Sequence, residues 1–512
     1  MRARPTNLEK IDPTTAWQPW RPSAADPWDH KWAAHLYRRA AFGYTREELI
    51  EAERLGPEGT LELFLTGRPQ AGEILETLTD IGRVAAARDE AGDQLRGWWL
   101  YCMLQGGHPL REKLTLFWHN HFATSLVKVQ SPDLMFRQNC LLREHALGRF
   151  GPMLQAISRD GAMLVWLDSS SNVKGRPNEN YARELMELFS LGVGNYTEKD
   201  VREAARAFTG WRTDGRVFIF EASRHDNGPK VVLGKAGNWD GVDVVRIVLE
   251  QPAAAKFLIR KLYQHFVNET AVAPDALLEP LVQQFRKSDY DIAAVVRTML
   301  GSRHFYSAHA FRQRIKGPVE FVLGAVRAIY QKYPEDDPRY RSLPQQLLVT
   351  WLNGLGQSLF APPNVKGWPG GKAWLNTATL LERANFAEAV AMGTIWMNRS
   401  AEPAATAPAV PFDVKRLFGK LAAASPPTDA PEERAPAPAF DPAAIVCQDK
   451  PSRPEDLVDA LFELHMPGGV RPESRAKLVN FIGDGSPVGP ARDRRVREVV
   501  HAILSMAEYQ LC

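Results

Sequence analysis

Several features that usually assign a chain to a function class are missing here. The four cysteines, Cys102, Cys140, Cys447 and Cys512, stand far apart with no C-x-x-C pair. That spacing excludes reading a disulfide framework or a thiolate zinc site. A formal net charge of +3 over 512 residues leaves no excess of one sign, and no Lys/Arg stripe with interleaved aromatics marks a nucleic-acid surface. No apolar run reaches the length that spans a bilayer. The opening stretch MRARPTNLEKIDPTTAWQPW has no apolar centre and does not read as a signal peptide. Arg38-Arg39 lies too deep in the chain for a twin-arginine signal. On these grounds the expected compartment is the cytoplasm. The motifs G-x-S-x-G, H-E-x-x-H, G-x-x-x-x-G-K-[ST] and G-x-G-x-x-G are all absent. With them go the signatures of a serine-hydrolase elbow, a zinc-protease helix, a P-loop and a dinucleotide fold. No fixed repeat period points to a solenoid.

What is present is helical periodicity almost throughout. It predicts a mainly α fold: a large multi-helix body over 29–399, preceded by a Pro- and Trp-containing arm over 1–28. A Pro/Ala-rich linker over 400–452, with a short helix near Val414–Ala423, leads to a C-terminal helical segment over 453–512 that docks on the body. Gln94–Gln105 is apolar on nearly every side and is expected to be a central buried helix. Gly151–Val165 reads as one helix, and Pro334–Ser342 as a polar loop. The exception to the helical period is Arg216–Phe220 with Lys230–Leu233, which predicts one small β-hairpin joined by a loop holding His225, Asp226, Asn227 and Gly228.

The richest stretch runs from Asn172 to Trp211. Asn178 is placed to cap a helix, Gly192 to end it in a left-handed conformation, and Thr197 with Asp200 to start the next; Gly210 ends that second helix. On a helical wheel Asn180, Glu184 and Glu187 share one flank, while Tyr181, Leu185, Leu188 and Phe189 form the apolar stripe. Glu179–Arg183 and Arg183–Glu187 are spaced as i,i+4 ion pairs. Gly192-Val193-Gly194 before the Thr197 helix is better explained as a helix stop and turn than as an anion cradle.

Asn178–Gly192 (NENYARELMELFSLG) and the AARAFTGW that follows resemble the bacterial family catalogued as domain of unknown function 1800. His35–Gly43 (HLYRRAAFG), Leu110–Ser125 (LREKLTLFWHNHFATS), His225–Gly234 (HDNGPKVVLG) and Leu359–Arg383 resemble it too, in the family's order across nearly the whole chain. The resemblance carries no established activity. It implies a protein partner, because family members are often encoded beside a family that carries an export signal, and so leaves export as a passenger open.

Candidate chemistry rests on polar residues from separated segments. In Leu110–Phe122, His121 falls on the apolar face and His119 nearly opposite, so the i,i+2 pair does not suit one metal. A buried His121 needs a partner, and Glu184 is a group of the right type. Pro362–Gly371, with two prolines and Gly-Trp-Pro-Gly-Gly, cannot be helix or central strand. It is a shaped loop in which Lys366 and Trp368 are placed to wall a pocket, with Trp374 and Asn376 behind. Glu184, Glu187, His121, His225 and Asp226 are the catalytic candidates; Asn178, Asn180, Tyr181, Arg183, Lys230, Lys366 and Trp368 are the binding candidates. His121, Glu184 and Glu187 are the candidate ligands of a divalent metal. Two functions stay open. One is an enzyme using a carboxylate/histidine site for acid–base or metal-assisted hydrolytic chemistry. The other is a non-catalytic binding or assembly partner of an exported protein.

Overall fold

A computed structural model describes residues 8–88, 92–329, 345–395, 453–483 and 489–512. The expected loop at Pro334–Ser342, the Pro/Ala-rich segment at 400–452 and the short helix near Val414–Ala423 lie outside the described residues. The described chain is mainly helical, and none of its helices is long and apolar enough to cross a membrane.

Local signals set the helix ends. Asp29 accepts from Trp32 N to cap His30–Ala40, and Thr45 with Glu48 forms a full capping box for Arg46–Thr66. Glu48 also pairs with Arg327 at 2.6 Å, tying that helix to Pro318–Ile329. Asp93–Gln105 buries Trp98 and Trp99 completely, as its all-round apolar sequence requires. Upstream, the arm is fastened by tryptophans: Trp17 Nε1 donates to the Leu277 carbonyl at 2.7 Å, and Trp28 Nε1 to Ala52 at 2.9 Å.

Two readings are corrected. Gly151–Val165 is not one helix but two, Phe150–Ser158 and Gly161–Trp166. Asp160 breaks it, since its carboxylate caps the second helix through Met163 N and also accepts from Gln138 Nε2 at 2.6 Å. The two expected strands do not pair with each other. Trp211–Thr213 pairs antiparallel with Phe218–Phe220, and Lys230–Val232 with Lys235–Gly237. Asp214-Gly215 and Leu233-Gly234 turn the chain back at once, so each strand finds its nearest neighbour and two small hairpins form.

The core has two parts, and Pro109–His121 lies between them. Leu110, Leu114 and Trp118 enter one, together with Leu258, Leu262 and Phe266 of Pro252–Phe266. Leu116 enters the other, with Trp99, Phe321, Phe360 and the apolar faces of the C-terminal helices. There Pro490–Ser505 packs on Thr377–Ala391, and Pro454–His465 on Pro318–Ile329. Buried charge ties this central helix to its neighbours. Arg143 holds Glu112 in a two-point pair at 2.5 and 3.0 Å, with both side chains almost fully buried.

A buried pair of this kind is costly to break on one side only. Glu112→Gln is therefore expected to lose about 3–5 kcal/mol of stability in urea unfolding. The double variant Glu112→Leu/Arg143→Met is expected to recover most of that loss, because no charge is then stranded.

Candidate functional site

The helix at the centre of the Asn172–Trp211 stretch begins at Asn180. Asn178 does the work of a cap from two residues upstream: its Oδ1 accepts from Asn180 N at 3.0 Å. Its Nδ2 donates to Ser171 Oγ at 2.8 Å and to the Asp168 carbonyl at 3.3 Å. Asn178 thus binds its own loop. Tyr181 points inward, its hydroxyl 2.5 Å from Ser158 Oγ. With Asn172 and Asn178 it lines a cavity of about 10 Å³, room for a single water.

From Leu185 to Ser190 the helix widens to the π form. Leu191 N and Gly192 N both donate to the Met186 carbonyl, at 2.9 and 3.0 Å. Gly192 sits at φ 79°, the left-handed stop expected there. The widened end leaves the Leu188 and Phe189 carbonyls without backbone donors, as helix ends do. Side chains supply them. His121 Nε2 donates to Phe189 O at 3.0 Å, and Lys261 Nζ to Leu188 O at 3.3 Å. Lys261 Nζ also donates to His121 Nδ1 at 3.0 Å. This network assigns the proton of the neutral imidazole to Nε2. Burial first, and then the Lys261 charge, hold His121 well below the ordinary histidine value. Burial also lowers Lys261 to about 8.

His121 therefore does approach the helix that begins at Asn180, but at its C-terminal end and not at Glu184. Both its ring nitrogens are engaged, which leaves neither for a metal. His119 is buried on the other side, against Trp99, Phe360 and Trp368. Among the described residues no three His, Cys, Asp or Glu side chains are grouped to hold a metal ion.

The flank of the helix is a different environment. Asn180 is exposed, and Glu184 and Glu187 are half-buried side by side. Arg183 does not pair with Glu187. It joins Glu179 at 3.0 Å and clasps Glu198 at 2.7 and 2.8 Å, fastening this helix to Glu198–Ala207. Glu187 accepts from Tyr196 Oη at 3.1 Å. Glu184 has no hydrogen-bond donor among the described residues. Desolvation, and then the charge of Glu187, raise its pKa, with Arg183 and Lys366 acting the other way.

Lys366 reaches this flank because its loop is pinned to the histidine helix. Asn120 accepts from Trp368 N at 2.6 Å and returns a bond to Trp368 O at 3.4 Å. Gly367, at φ 79°, lies so close that a Cβ there would come within 2.1 Å of Asn120 Oδ1, so only glycine fits. Trp368 and Trp374 are buried, and Asn376 caps Thr377–Ala391. These residues anchor the loop. Lys366 is exposed.

The third expected group stays apart. Asp226 is clamped by Arg206 at 2.8 and 3.3 Å, which holds its carboxyl down at about 2. His225 Nδ1 lies 2.9 Å from the Thr209 carbonyl. Lys230 Nζ donates to the carbonyls of Asp226 and Gly228 at 2.5 and 3.1 Å. Together they knot the loop onto the end of Glu198–Ala207. Sequence reasoning missed Lys261, Asn120 and Arg206. The first had a signal: a lysine beside Phe257, Leu258 and Leu262 on an inward-facing stripe.

A family model described as "Protein of unknown function (DUF1800)" matches residues 35–511. The chain belongs to the DUF1800 family. The match takes in the histidine helix, the π segment, the Lys366 loop and the C-terminal helices alike. No curated protein and no solved structure matches the chain.

Lys261 gives this DUF1800 chain a distinct pH response. Its folded-state pKa of about 8 lies below the ordinary 10.5, so between these values the unfolded chain binds more protons. The stability of the native protein relative to Lys261→Met is then expected to rise with pH across that window and to be flat below it. Denaturant unfolding of both proteins at pH 7, 9 and 10.5 checks the sign.

Proposed function

We propose that this protein acts by binding, not by acid–base catalysis. Its recognition surface is the flank of Asn180, Glu184 and Glu187 with Lys366 at the edge, and it accepts a cationic side chain presented by a protein partner. The observation that carries this reading is the uneven use of polar groups. His121, His225, Asp226, Lys230, Arg183, Tyr181 and Asn178 are all spent in bonds that hold elements together. Glu184 is not, and it sits half-buried beside a second carboxylate. An entering guanidinium or ammonium would relieve that repulsion and make charge-assisted hydrogen bonds. The π form of the helix behind the pair supports the reading, since such widenings recur at functional sites. The flank is open, which suits a residue on a partner's surface better than an enclosed small substrate.

Titration of the purified protein with a Lys/Arg-rich peptide by calorimetry tests this. Binding is expected, weakening with added salt, and falling about 10- to 100-fold in Glu184→Gln/Glu187→Gln as charge-assisted bonds worth about 1.5–3 kcal/mol are lost. Elemental analysis supplies the opposing outcome. Stoichiometric Mn, Fe or Zn that disappears in Glu184→Ala would overturn the proposal in favour of metal-assisted hydrolysis.

A further inference from the structure

A second cavity, of about 20 Å³, lies where the turn after His30–Ala40, one face of Pro318–Ile329, the end of Pro454–His465 and the residues around Tyr509 meet. None of the residues of the carboxylate flank lines it. Arg38, Tyr44, Lys316, Glu320, His465, Tyr509 and Cys512 do, and all seven are buried.

The polar groups of this wall are unequally satisfied. Glu320 is saturated: Lys113 Nζ donates at 2.5 Å, Arg314 at 3.1 Å and Gly317 N at 2.8 Å. Arg38 donates to Tyr44 Oη at 2.8 Å and to the His465 carbonyl at 3.2 Å. Lys316 has no such acceptor among the described residues; its Nζ lies 3.4 Å above the centroid of the Tyr509 ring. Both ring nitrogens of His465 lack a partner, and burial, reinforced by Lys316 and Arg38, keeps this ring neutral, so one of its nitrogens carries a proton to donate. The charges bearing on Lys316 are mostly of its own sign. Burial first, and then Arg38, hold its pKa well below the ordinary lysine value; Arg383 and Arg312 add to that, and Cys512 acts the other way. Protonating a buried amine that has no acceptor is expensive, and an unpartnered imidazole in the same wall adds to the cost.

We propose that this cavity is a binding site for a small monovalent inorganic anion of halide size, held by the Lys316 ammonium and the free N–H of His465. A volume of this order admits a guest little larger than a water molecule, so phosphate, sulfate and organic acids are too large. The anion joins parts of the chain that lie far apart in sequence. Lys316 belongs to the segment that pairs with the closing residues through Lys316 N to Gln510 O at 2.8 Å and Cys512 N to Arg314 O at 2.8 Å. His465 ends a C-terminal helix. A bound halide therefore fastens the C-terminal elements to the body.

The test compares melting temperatures of the full chain in sodium chloride, sodium bromide and sodium gluconate at one ionic strength, gluconate being too large to enter. The halide-minus-gluconate difference is expected to be about 1–3 °C more positive in the native protein than in Lys316→Met, because only the native site gains from mass action. A crystal soaked in bromide supplies an arm that does not depend on the variant folding. An anomalous peak between Lys316 Nζ and the His465 ring is expected. Equal differences in both proteins, or a cavity holding water only in the bromide crystal, would overturn the proposal.

Discussion

Two carbonyl groups govern how this protein uses its polar residues. When the helix that starts at Asn180 widens at Leu185–Ser190, Leu188 and Phe189 are left facing the interior without amide donors. A buried carbonyl left unpaired costs on the order of 1–3 kcal/mol, so the fold must bring donors to it. Lys261 and His121 are those donors, and they come from two other helices, Pro252–Phe266 and Pro109–His121. Three helices therefore meet at one point. The cation also sits at the negative end of the helix dipole, where positive charge is favoured. The next residue before His121, Asn120, carries the constraint outward by pinning Gly367 and Trp368, which sets Lys366 beside Glu184. One helix end thus positions both the scaffold and the loop that carries Lys366.

The same rule of satisfaction runs through the interior. Glu112 and Arg143 pair, Glu320 is saturated by Lys113, Arg314 and a backbone amide, and Asp226 is clamped by Arg206. Against that background the exceptions stand out. Among them are Glu184 on the flank and Lys316 with His465 around the C-terminal cavity, while Arg39, His119, Asn139 and His265 also keep buried nitrogen or oxygen atoms without a partner.

The sequence made the scaffold legible and the chemistry only partly so. Caps and stops are local signals, so Thr45–Glu48, Thr197–Asp200 and Gly192 fell where the residues predicted. The opposite faces of His119 and His121 followed from helical geometry, and the two rings do enter different parts of the core. Partner choice was harder. Arg183 was spaced for Glu187 but took Glu198, fifteen residues on at the start of the next helix, which the tight Gly192 turn brings back beside it. Glu184 was the chemically reasonable partner for His121, yet a backbone carbonyl won, because the π widening that exposes it has no sequence signature of its own. The loop between the expected strands suggested one hairpin, and two separate turns, at Asp214-Gly215 and Leu233-Gly234, made two.

Glu184 stands apart from the structural fasteners around it, with no hydrogen-bond donor among the described residues. The melting temperature of Glu184→Gln across pH tests this most directly. A carboxyl whose folded-state pKa is raised destabilises the native state once ionised, so stability falls as pH rises through the window above the ordinary value of 4.5. Removing the charge should then leave the melting temperature level or higher at pH 7, with the gain over the native protein shrinking as pH falls below that window. A drop at pH 7 equivalent to about 3–5 kcal/mol, the size expected when one member of a buried ion pair is removed, would show instead that Glu184 is one more fastener.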